Sequence, residues 1–140
     1  MRDRRAQSGF SLLEVLVALV VLSLGILGVS GLITVSLKNG HSAMLRAQAA
    51  QHAYDMLDRM RVNRDAALNG KYDLAMDAPA PTGSTLEDKD RAGWLAALAT
   101  LPDGDGEISV GANGKATVKV QWNEAAFGGG LDLVELTTEL

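Results

Sequence analysis

The sequence predicts an α+β protein in which one long N-terminal helix packs, over its outer half, against a small antiparallel β-sheet, with one short extra helix. Three observations predict it. The 23 residues from Val15 to Leu37 carry no charge. The stretch that follows keeps apolar residues at helical spacing, with no Pro before Pro79. The last third alternates apolar and polar residues between Gly-rich turns.

As a helix, the uncharged run is roughly 35 Å long, enough to cross a hydrocarbon core of about 30 Å. Before it stands a basic leader, Met1 to Gly9, with Arg2, Arg4 and Arg5 against a single Asp3. Basic flanks stay cytoplasmic, so residues 10–37 are expected to form a single-pass anchor with residues 38–140 outside as one domain. Glu14 is the anomaly, since an acid inside a membrane helix costs about 2.5–3.5 kcal/mol. It needs a cation: were the chain cut after Gly9, the new amine of Phe10 would be one, a helical turn away in the same chain or supplied by a neighbouring subunit. Gly25, Gly28 and Gly31 recur along the anchor with Ser23 and Ser30. They suit close helix packing in lipid, or a segment that loses helicity when the chain leaves the bilayer.

Beyond Lys38 the helix is expected to continue to about Arg64. Ala49, Ala50, Ala53, Leu57 and Met60 give it one apolar face, flanked by Met56 and Tyr54. Its last turns place Asp55 four residues before Arg59 and Asp58 three before Arg61, pairs worth a few tenths of a kcal/mol each. The basic run from Arg59 to Arg64 reads as an internally paired helix end, with a partner or DNA contact as the alternative.

Asn69-Gly70 is a turn signal, and Asp77 to Gly83 is a linker with Pro79 and Pro81. Ser84 with Glu87 predicts a capping box for a short helix bearing Trp94, Leu95 and Leu98, with Leu101 next and Pro102 and Gly104 as its stop. A strand from Glu107 to Val110, a hairpin turn at Gly111 to Gly114 and a second strand alternating Ala116, Val118, Val120 and Trp122 follow. That alternating face should lie on the long helix. After the Gly128-Gly129-Gly130 loop, Leu131, Leu133 and Leu136 mark a final strand.

The formal net charge is −4, and losing the three Arg and one Asp of the leader takes it to −6. That balance disfavours nonspecific nucleic-acid binding, and no nucleic-acid partner is expected. No Cys is present, so an oxidising compartment is permitted but unused.

Asp103, Asp105 and Glu107 alternate in a Gly-rich loop with the oxygen chemistry of a Ca²⁺ site. A charged turn is the preferred reading, because the further ligands of an EF-hand loop are missing from the pattern. His41 and His52 share a helix face but lie about 16 Å apart, too far to hold one metal together. No recognisable nucleophile elbow, phosphate loop or dinucleotide fingerprint stands in the sequence. Neither a cofactor nor an enzymatic activity is expected.

The basic leader, Gly9-Phe10, Ser11-Leu12-Leu13-Glu14 and the long apolar helix together resemble the N-terminal signal of type IV prepilins. The resemblance implies a pilin-like fold, cleavage between Gly9 and Phe10 by a prepilin peptidase, N-methylation of Phe10 and subunit docking through Glu14. Many major pilins close a C-terminal loop with a disulfide, and this chain departs from them. The run from Ala53 to Asn63 is similar to the segment after the anchor in the PilV family of type IV pilus modification proteins, which are minor pilins. What this implies is a minor pilin that helps start pilus assembly and sits at the pilus tip. Its partners would be other minor and major pilins and the inner-membrane assembly platform. It would lie in the inner membrane with a periplasmic domain, and in the pilus after assembly. The alternatives are a minor pseudopilin of a type II secretion system and, from another class, a tip-displayed adhesion or DNA-binding module.

Overall fold

The computed structural model describes residues 11–140. Helix α1 spans Leu12–Val62, followed by α2 (Arg64–Leu68) and α3 (Leu86–Leu98). Strands β1 (Asp105–Val110), β2 (Lys115–Asn123) and β3 (Leu131–Glu139) form one antiparallel sheet in that order, and a single 3₁₀ turn, Ala125–Phe127, joins the last two. The chain separates after Asn39 into two compact units.

In the first unit the described residues are helical from Leu12 onward. Their apolar side chains are exposed, from Leu12 and Leu13 through Leu24 to Leu37. The most apolar 18-residue window has a mean hydropathy of 2.7 and none of it is buried. A surface this apolar, with no protein covering it, calls for lipid or other subunits. The hydroxyls of Ser23, Ser30 and Thr34 donate back to the carbonyls of Val20, Ile26 and Ser30 at 2.7, 2.8 and 3.0 Å. Those polar groups are thereby satisfied inside the helix, as a bilayer interior requires.

The second unit, Gly40–Leu140, holds the core. Leu45, Ala49, Ala53, Met56, Leu57 and Met60 form its buried helical stripe, and the small Ala49 and Ala53 let neighbouring side chains approach the helix closely. Met56 is fully buried rather than flanking, while Tyr54 is exposed and Ala50 half-buried. Opposite lie Ala116, Val118, Val120 and Trp122, all completely buried. The predicted alternation of β2 is thus observed, with Lys115, Thr117 and Lys119 on the other face. This is a pilin-like arrangement of a long helix packed against a three-stranded antiparallel sheet.

Three local details differ from expectation. The long helix stops at Val62, because Asn63 leaves helical geometry (φ −112°, ψ 50°), and Arg64 begins α2 instead. The cap of α3 is one residue later than predicted. Thr85, in extended conformation, accepts from the Asp88 backbone N–H at 3.3 Å and donates its hydroxyl to the Asp88 carboxylate at 2.6 Å. With the helix starting at Leu86, Thr85 and Asp88 occupy the positions a capping box needs, and Ser84 and Glu87 do not. β1 begins at Asp105, two residues before the predicted start.

Trp94 is fully buried and donates its indole N–H to the His52 carbonyl at 2.9 Å, joining α3 to α1. The hairpin between β1 and β2 turns through Gly114 at φ 77°, a conformation that favours glycine.

Candidate functional site

Glu14 lies in the first turn of α1, where its backbone N–H donates to the Ser11 carbonyl at 3.0 Å. The side chain is exposed. Around it stand Leu12, Leu13, Val15, Leu16 and Val17, each at least half exposed. Glu14 makes no ion pair among the described residues. The result is a lone carboxylate on an apolar helix surface. In lipid such a group needs a cation close by, and in a dry interface removing either partner strands the other. Gly9 and Phe10, the expected cleavage and methylation positions, lie outside the described residues.

The acidic loop places its three carboxylates against different partners. Asp103 accepts from the Asn123 side-chain amide at 3.1 Å. Asp105 accepts from the backbone N–H groups of Asp77 and Gly106 at 2.6 and 2.7 Å. Glu107 pairs with the Lys119 ammonium at 2.9 Å. No group of three or more His, Asp or Glu side chains among the described residues is arranged to hold a metal ion. The two histidines face different neighbours. His41 lies against the Phe127 ring, with centroids 3.9 Å apart, and His52 Nε2 is 3.5 Å from the Thr100 hydroxyl.

The basic helix end is engaged within the fold. Arg59 pairs with Asp55 at 2.9 Å, as its spacing predicts, and also with Asp90 on α3 at 3.3 Å. Arg61 pairs with Asp58 at 2.7 Å and donates to the Thr138 hydroxyl on β3 at 3.1 Å. Beneath this end sits Tyr72, fully buried, whose hydroxyl donates to Asp90 at 2.7 Å and accepts from the Asn63 amide at 3.3 Å. Burial, reinforced by the hydrogen bond to the Asp90 carboxylate, pushes the Tyr72 phenol up to about 12. On the same helix Arg46 pairs with Asp132 of β3. The hydrogen bond from that guanidinium holds the Asp132 carboxyl below the usual range.

Tyr72, Asp90 and Asp132 carry no local signal in the sequence, since their partners lie 9 to 86 positions away. Only the i,i+3 and i,i+4 pairs on α1 can be read from spacing.

Comparison with known families places residues 4–30 in a match to the prokaryotic N-terminal methylation motif. The match contains Gly9, Phe10 and Glu14 and supports a type IV pilin or pseudopilin in general. It implies processing by prepilin peptidase and association with pilins, and with the apolar helix it fits membrane anchoring. Neither the curated proteins nor the solved structures give a match to the chain.

Proposed function

We propose that this chain is a PilV-like minor pilin that joins other minor pilins in starting type IV pilus assembly and takes a place at the pilus tip. The observation that carries the reading is the junction of two features in one chain. A methylation motif opens an uncovered apolar helix with a lone Glu14, and α1 then enters a small helix-on-sheet domain. An apolar rod with one acid is suited to bundling with like helices, where a neighbour's amine compensates the charge. The chain acts as a subunit and not as an enzyme; the chemistry at Gly9 and Phe10 is done to it. The domain faces the periplasm before assembly, because the three leader arginines hold the other end in the cytoplasm.

Deleting the gene and measuring sheared surface pili together with the secreted-enzyme profile tests the proposal. Pili should be lost with secretion intact, and be restored by the intact gene but not by Gly9→Leu, whose precursor should stay uncut. Normal pili with stalled secretion would assign the chain to a type II secretion system as a minor pseudopilin. Normal processing of Gly9→Leu would discard the cleavage assignment.

A further inference from the structure

We propose that the outer edge of β3 is a docking site for an extended basic segment of a partner protein, which adds antiparallel to β3 as a fourth strand. The two edges of the sheet differ in a way that points to this. On β1 the outward N–H groups are taken, and Ile108 exchanges both hydrogen bonds with Leu74 at 2.8 and 2.9 Å. The Val110 N–H donates to the Asp73 carboxylate at 3.0 Å, and the Gly106 N–H to Asp105 at 2.7 Å. That edge is closed to further pairing.

Among the described residues no backbone group pairs with the outer edge of β3. Hydrogen bonds from Leu140 N–H to the Gly114 carbonyl and from Glu124 N–H to the Gly130 carbonyl set the parity of the β2–β3 ladder. Even-numbered residues of β3 therefore bond to β2. Leu131, Leu133, Glu135, Thr137 and Glu139 turn their N–H and C=O groups to the free edge. Of these donors, the Leu133 N–H is met by the Asp132 side chain at 2.9 Å. The strand is nine residues long, and a free edge of that length is a template for another strand.

The side chains of the same residues state what the added strand carries. They lie on the exposed face of the sheet, Leu131 at 69% and Leu133 at 44% exposure. Across the sheet Glu107, Lys119 and Glu135 stand in one row, and Lys115 faces Glu139 in another. Lys119 gives its close pair to Glu107, and Glu135 and Glu139 have no ion pair among the described residues. A further antiparallel strand meets them with a cation opposite Glu139 and a second cation four positions on, opposite Glu135. Apolar side chains six and eight positions on then face Leu133 and Leu131. Opposite charges facing across strands attract and like charges repel. A second copy of β3 fits poorly, since full-length antiparallel pairing sets Glu135 against Glu135.

The test uses the full chain in detergent micelles and the peptide KTTTKTVTV, with ETTTETVTV as control. Amide hydrogen exchange should slow at Glu135, Thr137 and Glu139 with the basic peptide and stay unchanged at Ile108 and Val110. The control peptide should bind about tenfold more weakly. Glu135→Lys with Glu139→Lys should invert that preference. Thr137→Pro, which removes an N–H from the free edge but none from the β2 ladder, should abolish binding of both peptides. Failure of the basic peptide to protect β3 at about 1 mM, or equal binding of the two peptides, overturns the proposal. So does concentration-dependent self-association that Thr137→Pro removes, which would give the edge to a second copy.

Discussion

At the scale of single residues, Glu14 and Tyr72 present the same problem with opposite solutions. Glu14 is a charge on an apolar helix surface with no ion pair among the described residues, and under the proposed function its compensation comes from a neighbouring subunit. Replacing it with Leu should leave membrane insertion intact or improved and lower incorporation into sheared filaments by more than about tenfold, because the partner cation is stranded. Quantitative immunoblotting of membrane and filament fractions reads both effects, and unchanged incorporation would remove the charge-pair account. Tyr72 is a neutral group whose compensation is internal, through Asp90 and Asn63. Its folded-state value near 12 lies above the value of about 10 for a free phenol. The stabilisation is therefore complete below about pH 10 and is lost as pH rises through about 12, an expected change of about 2–3 kcal/mol. Urea unfolding of the wild type and Tyr72→Phe between these pH values should show the wild type losing its advantage, and parallel pH profiles would contradict this.

Secondary-structure elements meet through a few positions at which size, not polarity, decides the fit. α3 approaches β1 at Gly106, where an added Cβ would run into the Trp94 ring and the Leu98 side chain. Trp94 and Leu98 are both fully buried, so neither has room to move. Gly106→Ala should destabilise the domain by about 1–3 kcal/mol through overpacking, read as a lower urea midpoint with an unchanged slope. An unchanged midpoint would mean that α3 shifts freely on the sheet. The edge strand β3 is held differently, by Arg46 to Asp132 near one end and Arg61 to Thr138 near the other. Exposed polar links such as these contribute little stability. Their effect is to set β3 in register against α1 while leaving its outer edge free.

For the molecule as a whole, the core draws on residues between Leu45 and Trp122, all in the second unit. A fragment Gly40–Leu140 should accordingly unfold in one cooperative thermal transition, followed by the near-ultraviolet circular dichroism of the buried Trp94 and Trp122. A broad, non-cooperative transition would show that the domain depends on the preceding helix. The chain also has a division of labour in its surface. Residues 12–37 expose apolar side chains in every direction, whereas the domain buries a core and leaves single apolar side chains such as Tyr54, Val62 and Leu86 exposed, with Leu131 and Leu133 together on the outer sheet face.

The sequence by itself determined the elements whose cause is local. The uncharged run before Lys38, the alternation from Ala116 to Trp122, the Gly111–Gly114 hairpin and the Asp55–Arg59 and Asp58–Arg61 pairs all follow from periodicity or spacing. So does the motif holding Gly9, Phe10 and Glu14, which needs no tertiary context to be read. Tertiary structure alone decided what depends on distant partners. The end of α1 at Asn63 coincides with the Asn63–Tyr72–Asp90 network, and the choice of Thr85 over Ser84 as cap rests on where α3 begins. The closure of one sheet edge by Leu74 and the opening of the other at β3 likewise lie beyond local pattern. A strand carries the same alternation whether its edge is covered or free, because backbone hydrogen bonds between strands are set by chain topology and not by the side chains that period 2 reveals.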